Sequence, residues 1–162
     1  MTQMIAVVGK SKSGKTRLIE KLIPELKKRG YRIGSVKHAH HGFEIDKKGK
    51  DSYRHRAAGA DVVVVASPDE IAMVKKINTD SLDNLGIFFA DMDLVLVEGY
   101  KRTQHPKIEV FDQRSHKAPL GLNKEELVAI VTDDAVDVDA PLYRRDQIVE
   151  LGDLIERRYL KS

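Results

Sequence analysis

The chain has 162 residues, of which 33% are charged and 41% are hydrophobic, and its formal net charge is only +3. These values predict a single globular domain over residues 1–162, without the ~20-residue apolar run of a membrane span and without a role in nucleic-acid or membrane binding. Cysteine is absent, which excludes disulfides and thiolate metal sites and favours a cytoplasmic location.

The first segment with a functional signal joins an apolar run, residues 4–8, to a helix-like stretch through a glycine-rich turn. Residues 9–16 read Gly-Lys-Ser-Lys-Ser-Gly-Lys-Thr, which is the phosphate-binding loop pattern G-x-x-x-x-G-K-[ST] in its strand–loop–helix context. We expect Lys15 to reach the β- and γ-phosphates of a nucleotide and the Thr16 hydroxyl to bind Mg²⁺. The predicted phosphate-binding residues are Gly9, Ser11, Lys12, Ser13, Gly14, Lys15 and Thr16.

The rest of the chain alternates predicted helices and strands. Helical spacing predicts helices over residues 16–29, 51–59, 79–90 and 146–160, and a second strand is predicted over residues 31–37. Continuously apolar runs at residues 61–66, 93–98 and 127–131 predict strands that are buried on both faces. The alternating stretches 71–77 and 107–111 suit edge strands better, and an antiparallel orientation stays open for them.

This order predicts a three-layer α/β fold of the P-loop NTPase type, with a mostly parallel sheet flanked by helices. Glu98 lies at the carboxyl end of the predicted strand 93–98, the edge at which such sheets bind ligands. It is therefore predicted, with Lys15, to be catalytic: it either binds Mg²⁺ through water or orients the attacking water. Asp93 opens the same strand and should lie at the wrong end.

The segment after the second predicted strand offers further ligands. Asp46 and Asp51 are alternative outer-shell ligands of Mg²⁺, and Asp46 is preferred. His38, His40 and His41 suggest a transition-metal site, but solvated or phosphate-contacting roles are favoured because cysteine is absent and the other histidines are scattered.

The choice of base rests on a pair of aspartates. Asp133 and Asp134 follow the predicted strand 127–131, where GTP-binding proteins place the carboxylate that reads guanine. The Asn-Lys-x-Asp form of that motif is absent, so two ordinary turn aspartates remain an equal alternative.

Five segments, taken together with their order and spacing, resemble one family over nearly the whole chain, the MobB family of molybdopterin-guanine dinucleotide biosynthesis adaptor proteins. The resemblance implies a homodimeric GTP-binding protein with weak GTPase activity that assists the MobA guanylyltransferase in joining GMP to the molybdenum cofactor. It also implies that Thr16, Glu98 and Asp46 gather around Mg²⁺. The segments are residues 9–16, 37–41, 49–52, 58–60 and 97–101.

Two hypotheses and two alternatives follow. We expect slow GTP hydrolysis by the protein alone, with Lys10 or Lys12 acting across a dimer interface. We also expect a cationic rim, formed by Lys37, His38, Lys101 and Arg102, to receive the anionic phosphate of molybdopterin. The alternatives are an ATP-dependent small-molecule kinase or ligase on the same scaffold, and a metal-delivery GTPase that uses the histidine cluster.

Overall fold

The computed structural model describes residues 2–39, 42–78 and 81–161. Contacts divide the chain into two compact units, one formed by Met1–His38 with Leu82–Ser162 and the other by Ala39–Ser81. The single domain over residues 1–162 stays a prediction. In the part of the chain that is described, no helix has both the length and the apolar character needed to cross a membrane.

The fold is α/β, and the strands described in the first unit form one parallel six-stranded sheet in the order β2-β5-β1-β6-β7-β8. The strands are β1 (Gln3–Val8), β2 (Ile33–Lys37), β3 (Val62–Ala66), β4 (Ile71–Lys75), β5 (Leu94–Glu98), β6 (Lys107–Val110), β7 (Leu127–Val131) and β8 (Leu142–Tyr143). The α-helices are α1 (Lys15–Lys28), α2 (Asp51–Ala57) and α3 (Ile148–Ile155).

Helical segments cover both faces of the sheet. The apolar stripe of α1, which includes Leu22 and Leu26, packs with α3 on one face in the main hydrophobic core. A 3₁₀ helix, Leu82–Phe89, contributes Leu82 to a smaller cluster with Val95 and Val97 of β5 on the other face. This is the predicted three-layer arrangement of a sheet between helices.

The strand register determines where a ligand can sit. Val7 of β1 pairs with Glu98 of β5, and Val8 pairs with Glu109 of β6. Because all six strands run the same way, their carboxyl ends meet at one edge. The loop after β1 therefore opens between the ends of β5 and β6.

The prediction that residues 107–111 form an edge strand is wrong, because β6 lies inside the sheet between β1 and β7. Its polar side chains, Lys107 and Glu109, are both buried. The Lys107 Nζ donates to the Thr103 carbonyl and to Glu126 Oε2 at 2.5 Å. Glu109 Oε1 accepts from the Leu120 N–H at 2.7 Å. The alternating pattern thus reflects polar groups that find partners in neighbouring loops.

The second unit corrects another prediction. Residues 61–66 do not form an interior strand of the main sheet, because β3 pairs only with β4, in an antiparallel two-stranded hairpin among the described residues. Most of the β3 valines are exposed. The connection is a tight turn in which the Ser67 hydroxyl accepts from the Glu70 N–H at 3.1 Å, and the Ser67 N–H donates to the Glu70 carbonyl at 2.9 Å.

The remaining differences are smaller. The predicted helix over 79–90 is the 3₁₀ helix, and its predicted first residues, 79 and 80, lie outside the described residues. The last predicted helix consists of α3 and a π-helical turn, Glu156–Leu160. The two-residue strand β8, which closes one edge of the sheet, was not predicted.

Candidate functional site

The loop after β1 has the backbone of a phosphate-binding loop. Gly9, Lys12 and Gly14 have φ values of 148°, 63° and 103°, in the region that favours glycine. Lys12 occupies that region although it carries a side chain, so the surrounding loop holds it against a local energetic cost. The result is a compact loop between β1 and α1 that exposes main-chain groups.

Glycine is favoured at both ends of this loop, at Gly9 by a close backbone contact and at Gly14 mainly by its positive φ. A Cβ atom on Gly9 would lie 2.4 Å from the Val110 carbonyl oxygen, and one on Gly14 would lie 2.5 Å from Nη1 of Arg145. Both distances are shorter than any ordinary carbon contact. The loop can therefore pack against the backbone of β6 only because Gly9 has no side chain, and a side chain at position 14 would displace the Arg145 guanidinium from its present place.

The start of α1 is suited to an anion. In the part of the chain that the structure covers, no side chain caps the start of this 14-residue helix, and its first turn holds no acidic residue. Its first N–H groups and the positive end of its dipole are therefore available to a phosphate. The Ser13 hydroxyl is buried and has no hydrogen-bond partner within the described residues. A phosphate oxygen in the loop would provide an acceptor for a group of this kind.

Lys15 extends along the loop, where its Nζ donates to the Lys10 carbonyl at 2.7 Å. Partial burial lowers the pKa of Lys15, while Glu98 opposes that shift and Lys101 and Lys37 add to it. Two ammonium groups thus act on that of Lys15 at this edge of the sheet. A polyphosphate would relieve that repulsion, because its negative charge favours the protonated lysine.

Thr16 and Glu98 meet as the metal prediction requires. The Thr16 Oγ1 donates to Glu98 Oε2 at 2.9 Å, although the two residues are 82 positions apart in the chain. A hydroxyl and a carboxylate next to a phosphate loop are the oxygen donors that Mg²⁺ prefers, so this pair fits the ion. Asp93 precedes β5 and lies at the opposite end of that strand, where it accepts from the Arg32 N–H at 2.7 Å.

A cleft of about 470 Å³ extends from Glu98 along the loop to the ends of β6 and β8. This volume lies within the range of roughly 300–1,000 Å³ that is usual for small-molecule sites. Four of its lining residues, Arg17, Asp112, Arg114 and Arg145, were not predicted. The lining residues are Ser11, Lys12, Ser13, Gly14, Lys15, Thr16, Arg17, Glu98, Asp112, Arg114 and Arg145.

Arg145, which lies between β8 and α3, connects the cleft to the phosphate loop. Its Nη1 donates to the Ser13 carbonyl at 2.8 Å and its Nη2 donates to the Phe111 carbonyl at 2.9 Å. The planar guanidinium group donates to the two acceptors from two separate nitrogens held in a fixed geometry, which the single nitrogen of an ammonium group does not provide. Arg145 therefore braces the loop against the end of β6. Its only sequence signal is its place just after a strand too short to be predicted.

The two predicted base-reading aspartates contact other parts of the chain. Asp133 Oδ1 accepts from the Arg145 N–H at 3.1 Å, and its Oδ2 lies 3.4 Å from the Arg145 Nε. Asp134 Oδ2 accepts from the Gln113 N–H at 2.8 Å. These contacts place both carboxylates beside the cleft, and their role at a base stays a prediction.

The predicted cationic rim lies next to Glu98. Gly99 and Tyr100 have φ values of 106° and 52°, and this turn stacks the Tyr100 ring on His38 with 4.0 Å between ring centroids. Lys37 Nζ lies 3.9 Å from Glu98 Oε1. Lys101 and Arg102 follow Tyr100, and their side chains are exposed. Four cationic or polar side chains therefore follow the ends of β2 and β5.

The remaining predicted ligands belong to the second unit or lie outside the described residues. Asp46 Oδ1 accepts from the Ser52 hydroxyl at 2.8 Å within the second unit, and Asp51 begins α2. Their roles at Mg²⁺ stay predictions. His40 and His41 lie outside the described residues. Within residues 2–39, 42–78 and 81–161, no three His, Cys, Asp or Glu side chains form a group that could hold a metal ion.

Comparison with known proteins identifies the family of the chain. A family model described as molybdopterin guanine dinucleotide synthesis protein B (MobB) matches residues 4–133. The chain belongs to the MobB family. The match includes the phosphate loop, β2, β5 and Asp133, so most of the residues that line the cleft fall within the family region.

Individual MobB relatives resemble the chain along most of its length. It is 40% identical over 156 residues to the molybdopterin-guanine dinucleotide biosynthesis adapter protein of Haemophilus influenzae, which covers 94% of this chain and 87% of the relative. The Escherichia coli protein of the same name is 34% identical over 163 residues, covering 96% and 92%. The crystal structure of Bacillus subtilis MobB has a TM-score of 0.79 at 27% identity and covers 99% of both chains.

Proposed function

We propose that the chain binds GTP with Mg²⁺ in this cleft and hydrolyses it slowly. The observation that carries the proposal is the loop between β1 and α1, with its three left-handed residues, its uncapped helix start and the Thr16–Glu98 pair beside it. Phosphoryl-transfer sites share three parts, which are main-chain N–H groups around the phosphates, a lysine beside them and oxygen donors for the metal. The resemblance to the MobB family supports guanine as the base.

We further propose that the protein works as a cytoplasmic homodimeric adaptor, which assists the attachment of GMP to molybdopterin by the MobA guanylyltransferase. The names of its relatives support the pathway. In this role GTP binding would organise the surface that meets the partner and the molybdopterin. Fast hydrolysis would then be unnecessary.

The residues divide the work as follows. Lys15 leaves its contact with the Lys10 carbonyl and donates to the β- and γ-phosphates, and the first N–H groups of α1 hold their oxygens. Thr16 and Glu98 hold Mg²⁺, which when bound supplies positive charge next to the phosphates. Glu98 binds the ion through water or orients the attacking water.

Slow turnover is consistent with the arginine geometry. A free arginine at the γ-phosphate is worth about 10³–10⁵ in rate in related chemistry. Arg145 is held by the carbonyls of Ser13 and Phe111, so it is not free to move to the γ-phosphate. Arg114, which also lines the cleft, is held by the Asp112 carboxylate. We therefore expect acceleration only when a partner supplies further positive charge.

Calorimetry with Mg²⁺ tests the proposal. The unmodified chain should bind GTP at least tenfold more tightly than ATP, a difference of about 1.4 kcal/mol. Lys15→Ala should weaken GTP binding by at least about tenfold, because it removes a charge-assisted contact to the phosphates. Lys28→Ala, a change at an exposed lysine at the far end of the same helix, is the control and should leave the affinity unchanged.

Equal GTP affinity of the Lys15→Ala and unmodified proteins would overturn the proposal. Equal or reversed preference between GTP and ATP would instead favour the alternative, an ATP-dependent kinase or ligase. Phosphate release by the isolated protein should remain slow at neutral pH, and rapid release would contradict the adaptor role.

A further inference from the structure

The loop after β6 holds an arginine in a fixed orientation at the nucleotide cleft. Asp112 Oδ1 accepts from the Nε of Arg114 at 3.0 Å, and its Oδ2 accepts from Nη2 at 2.7 Å. Such a two-point contact between a carboxylate and a guanidinium fixes the plane of the arginine. The side chain of Asp112 is 8% exposed, whereas that of Arg114 is 86% exposed. The carboxylate is thus the anchor, and the arginine faces outward.

The anchor itself is rigid. The Asp112 carbonyl accepts from the N–H groups of Ser115 and His116 at 2.9 and 3.1 Å, and from the Ser115 hydroxyl at 2.8 Å. Arg145 Nη2 adds a contact of 3.4 Å to Asp112 Oδ2. The hydrogen bonds from Arg114 hold the pKa of Asp112 at about 2, so the carboxylate is charged at neutral pH. The pair should persist without a ligand.

The geometry leaves one donor edge of Arg114 available. Asp112 occupies the edge formed by Nε and Nη2, and Nη1 makes no hydrogen bond with the described residues. Arg114 lines the same cleft as the phosphate loop, at the carboxyl end of the strand that adjoins β1. A nucleotide whose phosphates lie in the loop could therefore extend its base toward this arginine.

We propose that Arg114, positioned by Asp112, selects guanine by donating hydrogen bonds to O6 and N7 of the base. An arginine presents two parallel N–H groups that match these two acceptors, whereas adenine has an amino donor at position 6 that would repel the arginine. This inference rests on the proposed binding of GTP. It adds a specificity-determining residue. Arg114 would contact the O6 and N7 edge of guanine, whereas a carboxylate would contact the edge with N1–H and the 2-amino group.

Base analogues separate the two modes of recognition. A carboxylate such as that of Asp133 or Asp134 would accept from N1–H and from the 2-amino group of guanine. Inosine keeps N1–H but lacks the 2-amino group. Arg114 would read O6 and N7, and 7-deazaguanine lacks N7. If Arg114 selects the base, we expect ITP to bind within about threefold of GTP and 7-deaza-GTP to bind about tenfold more weakly.

Calorimetry of the full chain with Mg²⁺ and GTP, ITP, 7-deaza-GTP or ATP tests the inference. Arg114→Ala should reduce the preference for GTP over ATP by at least tenfold while ATP affinity stays within about twofold. Asp112→Asn should reduce the same preference by a smaller factor, because the arginine remains but loses its charged anchor. Arg158→Ala, a change at an exposed arginine in the last helical turn, is the matched control and should change neither affinity.

Each result has a defined meaning. Weak binding of ITP with full binding of 7-deaza-GTP would overturn the inference in favour of the aspartates. An equal loss of GTP and ATP affinity in Arg114→Ala would also overturn it, since the arginine would then serve the phosphates. If GTP binds and Lys15→Ala weakens that binding, either of these two results contradicts only the role of Arg114, and the proposed function stands. If no nucleotide binds at all, the proposed function fails together with the inference.

Discussion

Arg145 joins three parts of the cleft through one guanidinium group. It contacts the Ser13 carbonyl in the phosphate loop, the Phe111 carbonyl at the end of β6 and the carboxylate of Asp133 after β7. Arg145→Lys should therefore weaken the binding of GTP and ATP alike by about tenfold, because a single ammonium nitrogen lacks the two-pronged geometry of the guanidinium and the loop loses its brace. Calorimetry with Mg²⁺ measures both affinities.

Arg144 provides the control for this prediction. Its side chain is 67% exposed and its Nε lies 3.4 Å from Asp146 Oδ1, in a pair of surface character. Arg144→Lys should leave both affinities unchanged. If Arg145→Lys also leaves them unchanged, the loop holds its shape without the arginine. A loss confined to GTP would instead show that Arg145 acts through the base-reading side of the cleft.

The site was predictable where chemistry is encoded in neighbouring residues and was missed where it depends on packing. Residues 9–16 specify a phosphate loop by themselves, because glycine and lysine spacing determines the backbone and the charge together. Asp112 and Arg114 come after a strand that was predicted at the sheet edge, so they were not expected near the nucleotide. Correct placement of β6 beside β1 would have brought both into consideration.

At the scale of elements, two strands show why the pattern of polar and apolar residues can mislead. The alternation in β6 resembles a half-exposed edge strand, yet Lys107 and Glu109 are both buried, each with a hydrogen bond to a neighbouring loop. The valine run of β3 resembles an interior parallel strand. The four-residue turn at Ser67–Glu70 could have corrected this, since it is too short for the crossover that a parallel pair needs.

The contact between α1 and α3 offers a test of stability. Arg29, just after α1, contacts Glu25 at 2.8 Å and Glu156 at 3.3 Å, and its Nη2 donates to the Val149 carbonyl at 2.9 Å. Its side chain is only 15% exposed, and those of Glu25 and Glu156 are 17% and 16% exposed, whereas a third partner, Asp153 at 2.6 Å, is 60% exposed. Arg29→Ala should lower the free energy of unfolding by about 2–3 kcal/mol, because it leaves these carboxylates without their shared cation. Urea denaturation measures the change.

Lys161→Ala is the comparison for this element. Lys161 pairs with the same carboxylate, Glu156, at 3.1 Å, but its side chain is 66% exposed. Water and salt screen such a pair, so its loss should cost less than about 0.5 kcal/mol. Equal losses in the free energy of unfolding for the two substitutions would mean that burial of Arg29 does not make its ion pairs more stabilising. Nucleotide affinity should change in neither variant, since Arg29 follows the end of α1 opposite the phosphate loop.

At the scale of the whole molecule, the small net charge of +3 conceals an uneven distribution. Lys37 ends β2, and Lys101 and Arg102 follow β5, whose last residue, Glu98, lines the cleft. Both lysines are close enough to Lys15 to lower its pKa. A second anion next to the nucleotide would find positive charge there without displacing the phosphates. This arrangement is what an adaptor needs if it holds GTP and a phosphorylated pterin on one surface.

Charge reversal tests whether this rim serves a second ligand. The double variant Lys101→Glu with Arg102→Glu should weaken molybdopterin binding by at least tenfold, because two attractive charges become repulsive. Pterin fluorescence measures this binding. GTP affinity, measured by calorimetry with Mg²⁺, should stay within about threefold, since neither side chain lines the cleft described above. Arg157→Glu with Arg158→Glu, which reverses the same two charges on an exposed helical turn, should leave both ligands unaffected. If molybdopterin and GTP affinities fall together, the rim belongs to the nucleotide site and the second ligand must bind elsewhere.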